Sequence, residues 1–208
     1  MSLTFYYAPM STATLTDLVI EELGIPCKRV KLDLQKSETK TPEFKKLNPN
    51  AKVPLIVHDD MPIFESAAIT MYLGEMFGVE KKLYPAPGPK RGEAMKWITW
   101  NNVTLGDSVY NWCRNTQEWL PADHRNAKAG ELAKKDLTDN LAILDQALAG
   151  KQYLLGDGYT LADTHVNSFV DWLRHMKLDF APYANLNAWS KRCAARPAYA
   201  KVMSGGEK

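Results

Sequence analysis

The sequence predicts a small α/β domain followed by an all-α domain. Three observations carry this reading. Short β-branched and aromatic runs, the signature of strands, occur only in the first 80 residues. Residues 81–91 then gather Pro85, Pro87, Gly88 and Pro89, a composition that breaks both helices and strands. Beyond them apolar residues recur only at helical spacing. The expected division is therefore a domain at 1–80, a linker at 81–91 and a helical domain at 92–208.

The elements follow in order. Leu3 to Tyr7 is a short aliphatic and aromatic strand, broken by Ala8-Pro9-Met10. Ser11 or Thr12 caps a helix that places Leu15, Leu18, Val19 and Leu23 on one face, and Gly24 ends it. Cys27 to Leu34 alternates Arg29, Lys31 and Asp33 with Val30, Leu32 and Leu34, as a half-buried strand does. A polar loop from Gln35 to Thr41 leads to a brief helix around Glu43 to Leu47. A strand opened by Pro54, a turn through His58, Asp59 and Asp60, and a second strand through Ile63 and Phe64 precede a helix from Ser66 to about Phe77. The order is βαβ, then ββα. In the second half, Ile98, Leu105, Val109 and Trp112 form one stripe within a helix from Glu93 to Leu120. Leu137, Leu141, Leu144 and Leu148 form the next, and Ala162, Val166, Phe169 and Leu173 a third. Thr160 and Asp163 make a capping box before that third run. Two shorter helices are expected at about 187–195 and 198–203.

Composition excludes several functions. At 208 residues with a net charge of +2, the chain lacks the basic bias of a nucleic-acid binder. No apolar run approaches the ~20 residues that span a bilayer, and the first residues lack a signal-peptide pattern. Cys27, Cys113 and Cys193 are widely spaced and odd in number, which argues against a disulfide framework and a zinc site. No metal is expected, and a reduced, cytoplasmic protein is.

The chemistry is concentrated at a strand-to-helix corner. A proline can open a strand where its missing N–H is not needed. A cis bond between Val53 and Pro54 would turn the Val53 backbone groups away from the ladder. Ser66 and Ala67 open the next helix, whose unpaired amides and positive dipole end attract a carboxylate. Glu65 stands beside them to attract an ammonium. A corner that takes both suits the end of an amino acid or peptide. Separately, Ser66 and Ser11 are each residues that cap helices without further function.

Val53-Pro54 followed by Glu65-Ser66, behind a βαβ pattern, resembles the glutathione-binding half of the cytosolic glutathione transferases. The resemblance covers nearly the whole chain: a thioredoxin-like domain, then a helical one. It implies an enzyme that activates the thiol of glutathione, its co-substrate, for attack on a small apolar electrophile. In that family the residue before the cis-proline pairs its backbone with the cysteinyl part of glutathione, and the Glu-Ser pair holds the γ-glutamyl end. Tyr7-Ala8-Pro9-Met10-Ser11-Thr12 is similar to the catalytic loop of serine-type enzymes, closest to the phi class, then theta and delta. There the serine donates a hydrogen bond to the glutathione sulfur, which implies this role for Ser11. Thr12 would take the place of the beta-class cysteine if the loop slipped by one. Tyr6 and Tyr7 lack the Gly-Arg pattern of tyrosine-type classes and are expected to pack. Thr16 stands where phi enzymes usually have an arginine. The resemblance also implies that Lys40, with Thr39 in place of the family's histidine, meets the glycyl carboxylate, and that Lys52 meets the glutathione backbone. Met10, Tyr110 and Arg114 are implied for the electrophile. Trp112, Cys113 and Trp119 lie in the same region but read as core. Asn102 reads as an interhelical or subunit-contact group. A homodimer and a part in detoxification are implied; nucleic-acid and membrane partners are not.

The physical task set by this chemistry is small. A free thiol has a pKa of about 8.5, and lowering it by roughly two units takes about 2.7 kcal/mol. One hydroxyl bond to an anion is worth about 1.5–3 kcal/mol, and a helix end about 0.3–1 kcal/mol. Two other readings use the same fold: glutathione-dependent reduction of peroxides or disulfides, and a ligand-binding scaffold without catalysis. Ser11 cannot form a mixed disulfide, and a scaffold needs no hydroxyl at the thiol.

Overall fold

The computed structural model describes residues 2–118, 121–156 and 158–205; Trp119 and Leu120, at the end of an expected helix, lie outside the described residues. The chain divides into two compact units, 1–91 with 194–208, and 92–193.

The first unit is built on a four-stranded sheet in the order β2-β1-β3-β4. The strands are β1 (Leu3–Tyr7), β2 (Lys28–Lys31), β3 (Leu55–His58) and β4 (Met61–Phe64). β1 runs parallel to β2 and antiparallel to β3. Asp59 and Asp60, both at positive φ, join β3 to β4, a conformation that short aspartate-containing hairpin turns favour. Pro62 is tolerated because β4 is an edge strand. Helices α1 (Ala13–Leu23), α2 (Pro42–Leu47) and α3 (Ser66–Leu73) complete the α/β part. Leu15, Val19 and Leu23 of α1 and Ile69 and Leu73 of α3 are buried, as are Phe5, Leu55 and Ile56 of the sheet. Gly24 ends α1 in the left-handed conformation, φ 56, which an L side chain resists.

The strand expected over Cys27–Leu34 is shorter. β2 stops at Lys31, with one more ladder bond from the Leu32 amide to the Tyr7 carbonyl at 2.8 Å. The Asp33 carboxylate accepts from the amides of Gln35 and Lys36 at 2.9 and 3.2 Å, which turns the chain out of the ladder.

The second unit is helical. It contains most of α4 (Pro89–Trp100), together with α5 (Gly106–Thr116), α6 (Ala127–Ala147), α7 (Leu161–His175) and α8 (Ala184–Ala194). α4 begins at Pro89, within the expected linker, because proline suits the first turn of a helix. A π-helical turn over Asn101–Leu105 separates α4 from α5, where the sequence reads as one helix. The predicted stripes are buried: Ile98, Leu105, Val109 and Trp112; Leu137, Leu141, Leu144 and Leu148; Val166 and Leu173. Phe169 is half-buried.

Asp163 organises this unit. Its buried carboxylate accepts from the Leu154 amide, the Thr160 amide and hydroxyl, and the Trp189 indole, all at 2.8–3.0 Å. Burial pushes its carboxyl above the ordinary range, and these donors pull it back. Its role is structural, as the capping-box pattern predicts.

The last helix, α9 (Pro197–Met203), belongs with the first unit. Arg196 forks onto both oxygens of Glu22 at 2.6 Å, and Lys201 pairs with Glu21. Both acids lie on α1.

Candidate functional site

The sheet register decides which loops meet. Tyr6 pairs with Leu55, Leu55 with Phe64, and Tyr7 with Lys31. The chain leaving β1, the chain entering β3 and the chain leaving β4 therefore share one end of the sheet. These are the segments 8–11, 53–54 and 65–66. Two inter-strand steps separate the first from the last, about 9–10 Å at the usual strand spacing. An extended tripeptide is about 10 Å long.

The corner after β4 is strained. Glu65 holds φ 70 and ψ 115 as the N-cap of α3, a conformation that costs a non-glycine residue on the order of 1–3 kcal/mol and concentrates at ligand sites. Its carboxylate is exposed and has no partner among the described residues. The first bond of the helix runs from the Ile69 amide to the Glu65 carbonyl at 2.9 Å. The amides of Ala67 and Ala68 ahead of it have no helical carbonyl to bond. Ser66 is buried at 8% exposure. The corner thus offers an anion-binding helix end beside an acceptor for a cation.

At the neighbouring strand the Val53–Pro54 bond is cis, as expected. Val53 is half-buried and precedes the first ladder residue, Leu55. The loop before it is held by Asn48, a buried residue that sequence reasoning passed over. Asn48 donates to the Lys52 carbonyl at 2.7 Å and accepts from the Asn50 amide at 3.0 Å. The Asn48-Pro49-Asn50 run is a turn signal that could have pointed to it. The Lys52 side chain itself is exposed, and so is Lys40, at the end of a 3₁₀ turn over Glu38–Lys40.

Ser11 lies beyond β1 and is half-buried. Its hydroxyl donates to the Ala8 carbonyl at 2.7 Å and accepts from the Ala13 amide at 3.2 Å. It is therefore tied to the first turn of α1, where a developing anion is favoured. The Thr12 side chain is exposed and makes no cap bond. Tyr6 meets Phe44 edge-on and Tyr7 stacks on Phe5, so both rings are engaged in packing. Thr16, at the place of the family arginine, is fully buried. The nearby Arg29 guanidinium is committed to Asp17 at 2.9 Å and Glu21 at 3.4 Å. Burial pushes the Cys27 and Cys113 thiols up to about 11, which disfavours their thiolates.

Of the residues expected at the electrophile, Met10 is 82% exposed in the first unit; Tyr110, 63% exposed, and Arg114, also exposed, lie on α5 of the second. Trp112 and Cys113 are core. Asn102 bonds His165 at 2.7 Å, an interhelical contact whose histidine partner was not foreseen. Among the described residues no group of three His, Cys, Asp or Glu is placed to hold a metal ion, and no helix is long and apolar enough to cross a membrane.

Comparison with known proteins places this geometry in context. The model of the glutathione S-transferase N-terminal domain matches residues 1–75, and that of the C-terminal domain matches residues 110–197. The chain is 30% identical over 188 residues to glutathione S-transferase GstB of Escherichia coli, covering 89% of both. A delta-class glutathione transferase of Nilaparvata lugens is 28% identical with a TM-score of 0.85, over 96% of this chain and 92% of that one. A glutathione transferase homolog from Lodderomyces elongisporus, solved with two GSH per subunit, shares the fold at a TM-score of 0.89 and 22% identity, with all of both chains covered.

Proposed function

The chain belongs to the glutathione S-transferase family, and from that premise we propose that it binds glutathione across the shared end of its sheet and transfers it to a small apolar electrophile. The observation that carries this reading is the register that puts segments 8–11, 53–54 and 65–66 side by side at a tripeptide's length. The γ-glutamyl carboxylate sits at the amides and hydroxyl that open α3, with Ser66, and the ammonium at Glu65. The cysteinyl backbone pairs with Val53. Lys40 takes the glycyl carboxylate and Lys52 flanks the peptide. Ser11 turns its hydroxyl to the sulfur.

In the reaction the thiol proton passes to solvent and the thiolate is held by Ser11 and the first turn of α1. The sulfur lone pair forms a bond to the electrophilic carbon. A leaving group departs with its bonding pair, or in an addition the adjacent carbon takes a proton from water. Met10, Tyr110 and Arg114 are assigned to the electrophile. The functional division is a glutathione-binding domain at 1–80, a linker at 81–91 and an electrophile-binding domain at 92–208. A cytoplasmic homodimer acting in detoxification is the setting we assign; the three free cysteines suit a reducing compartment. Calorimetric titration with glutathione, followed by turnover with an aryl chloride, tests the reading. Saturable binding with release of chloride supports it, and no binding at millimolar glutathione refutes it.

A further inference from the structure

Beyond the carboxyl ends of the parallel strands β1 and β2 lies a recess of about 490 Å³. Open α/β sheets place ligand crevices at that end of their parallel strands, and the volume falls in the range of small-molecule sites. Ala8, Pro9, Leu32 and Leu34 supply its apolar walls, and Lys31, Asp33, Gln35 and Glu38 its polar ones. The Ala8 carbonyl is the group that accepts the Ser11 hydroxyl. The recess therefore borders the loop that carries the thiol-activating residue.

The polar residues fall into two sets. Asp33 accepts from two backbone amides through one oxygen, while its other lies 3.8 Å from the Lys36 ammonium. Glu38 accepts from the Asp33 amide at 2.7 Å. These carboxylates build the loop. The Lys31 ammonium and the Gln35 side-chain amide have no partner among the described residues. Lysines on edge strands commonly serve only to deter strand pairing, and Lys28 on the same strand fits that role. Lys31 differs in lining the recess.

We propose that this recess adds a first-domain part to the electrophile's site, next to Met10 in sequence, and selects an apolar electrophile that carries a carboxylate. The apolar body lies on Pro9, Leu32 and Leu34, and the carboxylate meets Lys31 with the Gln35 amide donating beside it. The proposal rests on the reading of Ser11 as the residue that holds the glutathione thiolate.

The test uses a chloronitrobenzoate and its neutral amide, which share one carbon skeleton. In both, sulfur bonds to the carbon bearing chlorine, chloride leaves with the bonding pair, and the thiol proton goes to solvent. In Lys31→Met, kcat/KM should fall about fivefold for the benzoate, the most an exposed ion pair usually supplies. It should be unchanged for the amide, and the KM for glutathione should hold. Lys31→Glu should lower the benzoate value further. Equal losses with both electrophiles overturn the proposal, as does no loss with either. A rise in the glutathione KM with both would assign Lys31 to glutathione's own carboxylate and also overturn it. Absence of turnover by the unaltered protein would refute the transferase reading instead. The subsite would still be decided by titrating the benzoate into glutathione-saturated protein, with about fivefold weaker binding in Lys31→Met expected and equal binding contradicting it.

Discussion

Replacing Ser11 by alanine should raise the pKa of bound glutathione by about one unit. The hydroxyl is not idle without ligand: it donates to the Ala8 carbonyl at 2.7 Å. To reach a thiolate it must leave that acceptor. A bond to an anion is worth about 1.5–3 kcal/mol and the neutral bond given up about 0.5–1.5 kcal/mol. The difference of about 1–1.5 kcal/mol corresponds to about one pKa unit. The first turn of α1 remains and keeps the thiol below its free value. The Ala13 amide also loses its acceptor, so stability should drop by about 0.5–1 kcal/mol. The assay is a pH titration of thiolate ultraviolet absorbance with glutathione saturating, run on the unaltered protein, Ser11→Ala and Thr12→Ala. Glutathione affinity should persist in all three, and only Ser11→Ala should shift. A shift confined to Thr12→Ala would place the activating hydroxyl one residue on. No shift in either would refute the serine mechanism.

Other perturbations separate binding from stability. Ser66→Ala should weaken glutathione binding about 10- to 150-fold, the value of a charge-assisted bond, without moving the thiol pKa; equal affinity in calorimetry would remove the corner from the site. Glu65→Gly should release the strain at φ 70 and offset glycine's entropy cost, stabilising the fold by up to about 1 kcal/mol while binding falls at least about tenfold; a destabilised variant that still binds would contradict both claims. Asp163→Asn, which removes one acceptor oxygen from a buried four-donor cluster, should cost about 2–3 kcal/mol in urea unfolding, and a loss under about 1 kcal/mol would count against the cluster. Burial pushes His165 from 6.5 down to about 3. The folded state thus keeps it neutral while the unfolded chain binds the proton, so stability is full above about pH 6.5 and falls toward pH 3 by about 1.4 kcal/mol per pH unit. That slope should flatten in His165→Gln, and an unchanged slope would assign the acid loss elsewhere.

What the sequence made legible is local. Val53-Pro54 and Glu65-Ser66 are short runs whose backbone demands belong to their own residues, and the structure has the cis bond and the helix opening at those places. The apolar stripes of the helical half were readable for the same reason, since periodicity reports burial directly. The misreadings involve competition or distance. Alternation through Leu34 suggested a longer β2, but the Glu38 carboxylate takes the Asp33 amide that a longer ladder would use, and the Asp33 carboxylate turns the chain by binding the amides of Gln35 and Lys36. The stripe through Trp112 does not register the π turn at Asn101–Leu105, because a helix can take up an extra residue without losing its apolar face. Asn48 matters through a loop it brackets, and His165 through Asn102 on another helix. The pairing of Arg196 and Lys201 with Glu22 and Glu21 joins opposite ends of the chain, beyond any window of local pattern.

The central claim is that glutathione lies across the end of the sheet with its sulfur at Ser11. A crystal structure of the protein with glutathione tests it most directly. The account predicts the γ-glutamyl carboxylate on Ser66 and the opening amides of α3, the ammonium on Glu65, the cysteinyl backbone on Val53, and the sulfur within hydrogen-bonding distance of the Ser11 hydroxyl, which will have left the Ala8 carbonyl. A sulfur placed against Tyr7 or Thr12, with the Ser11 hydroxyl still on Ala8, would contradict it.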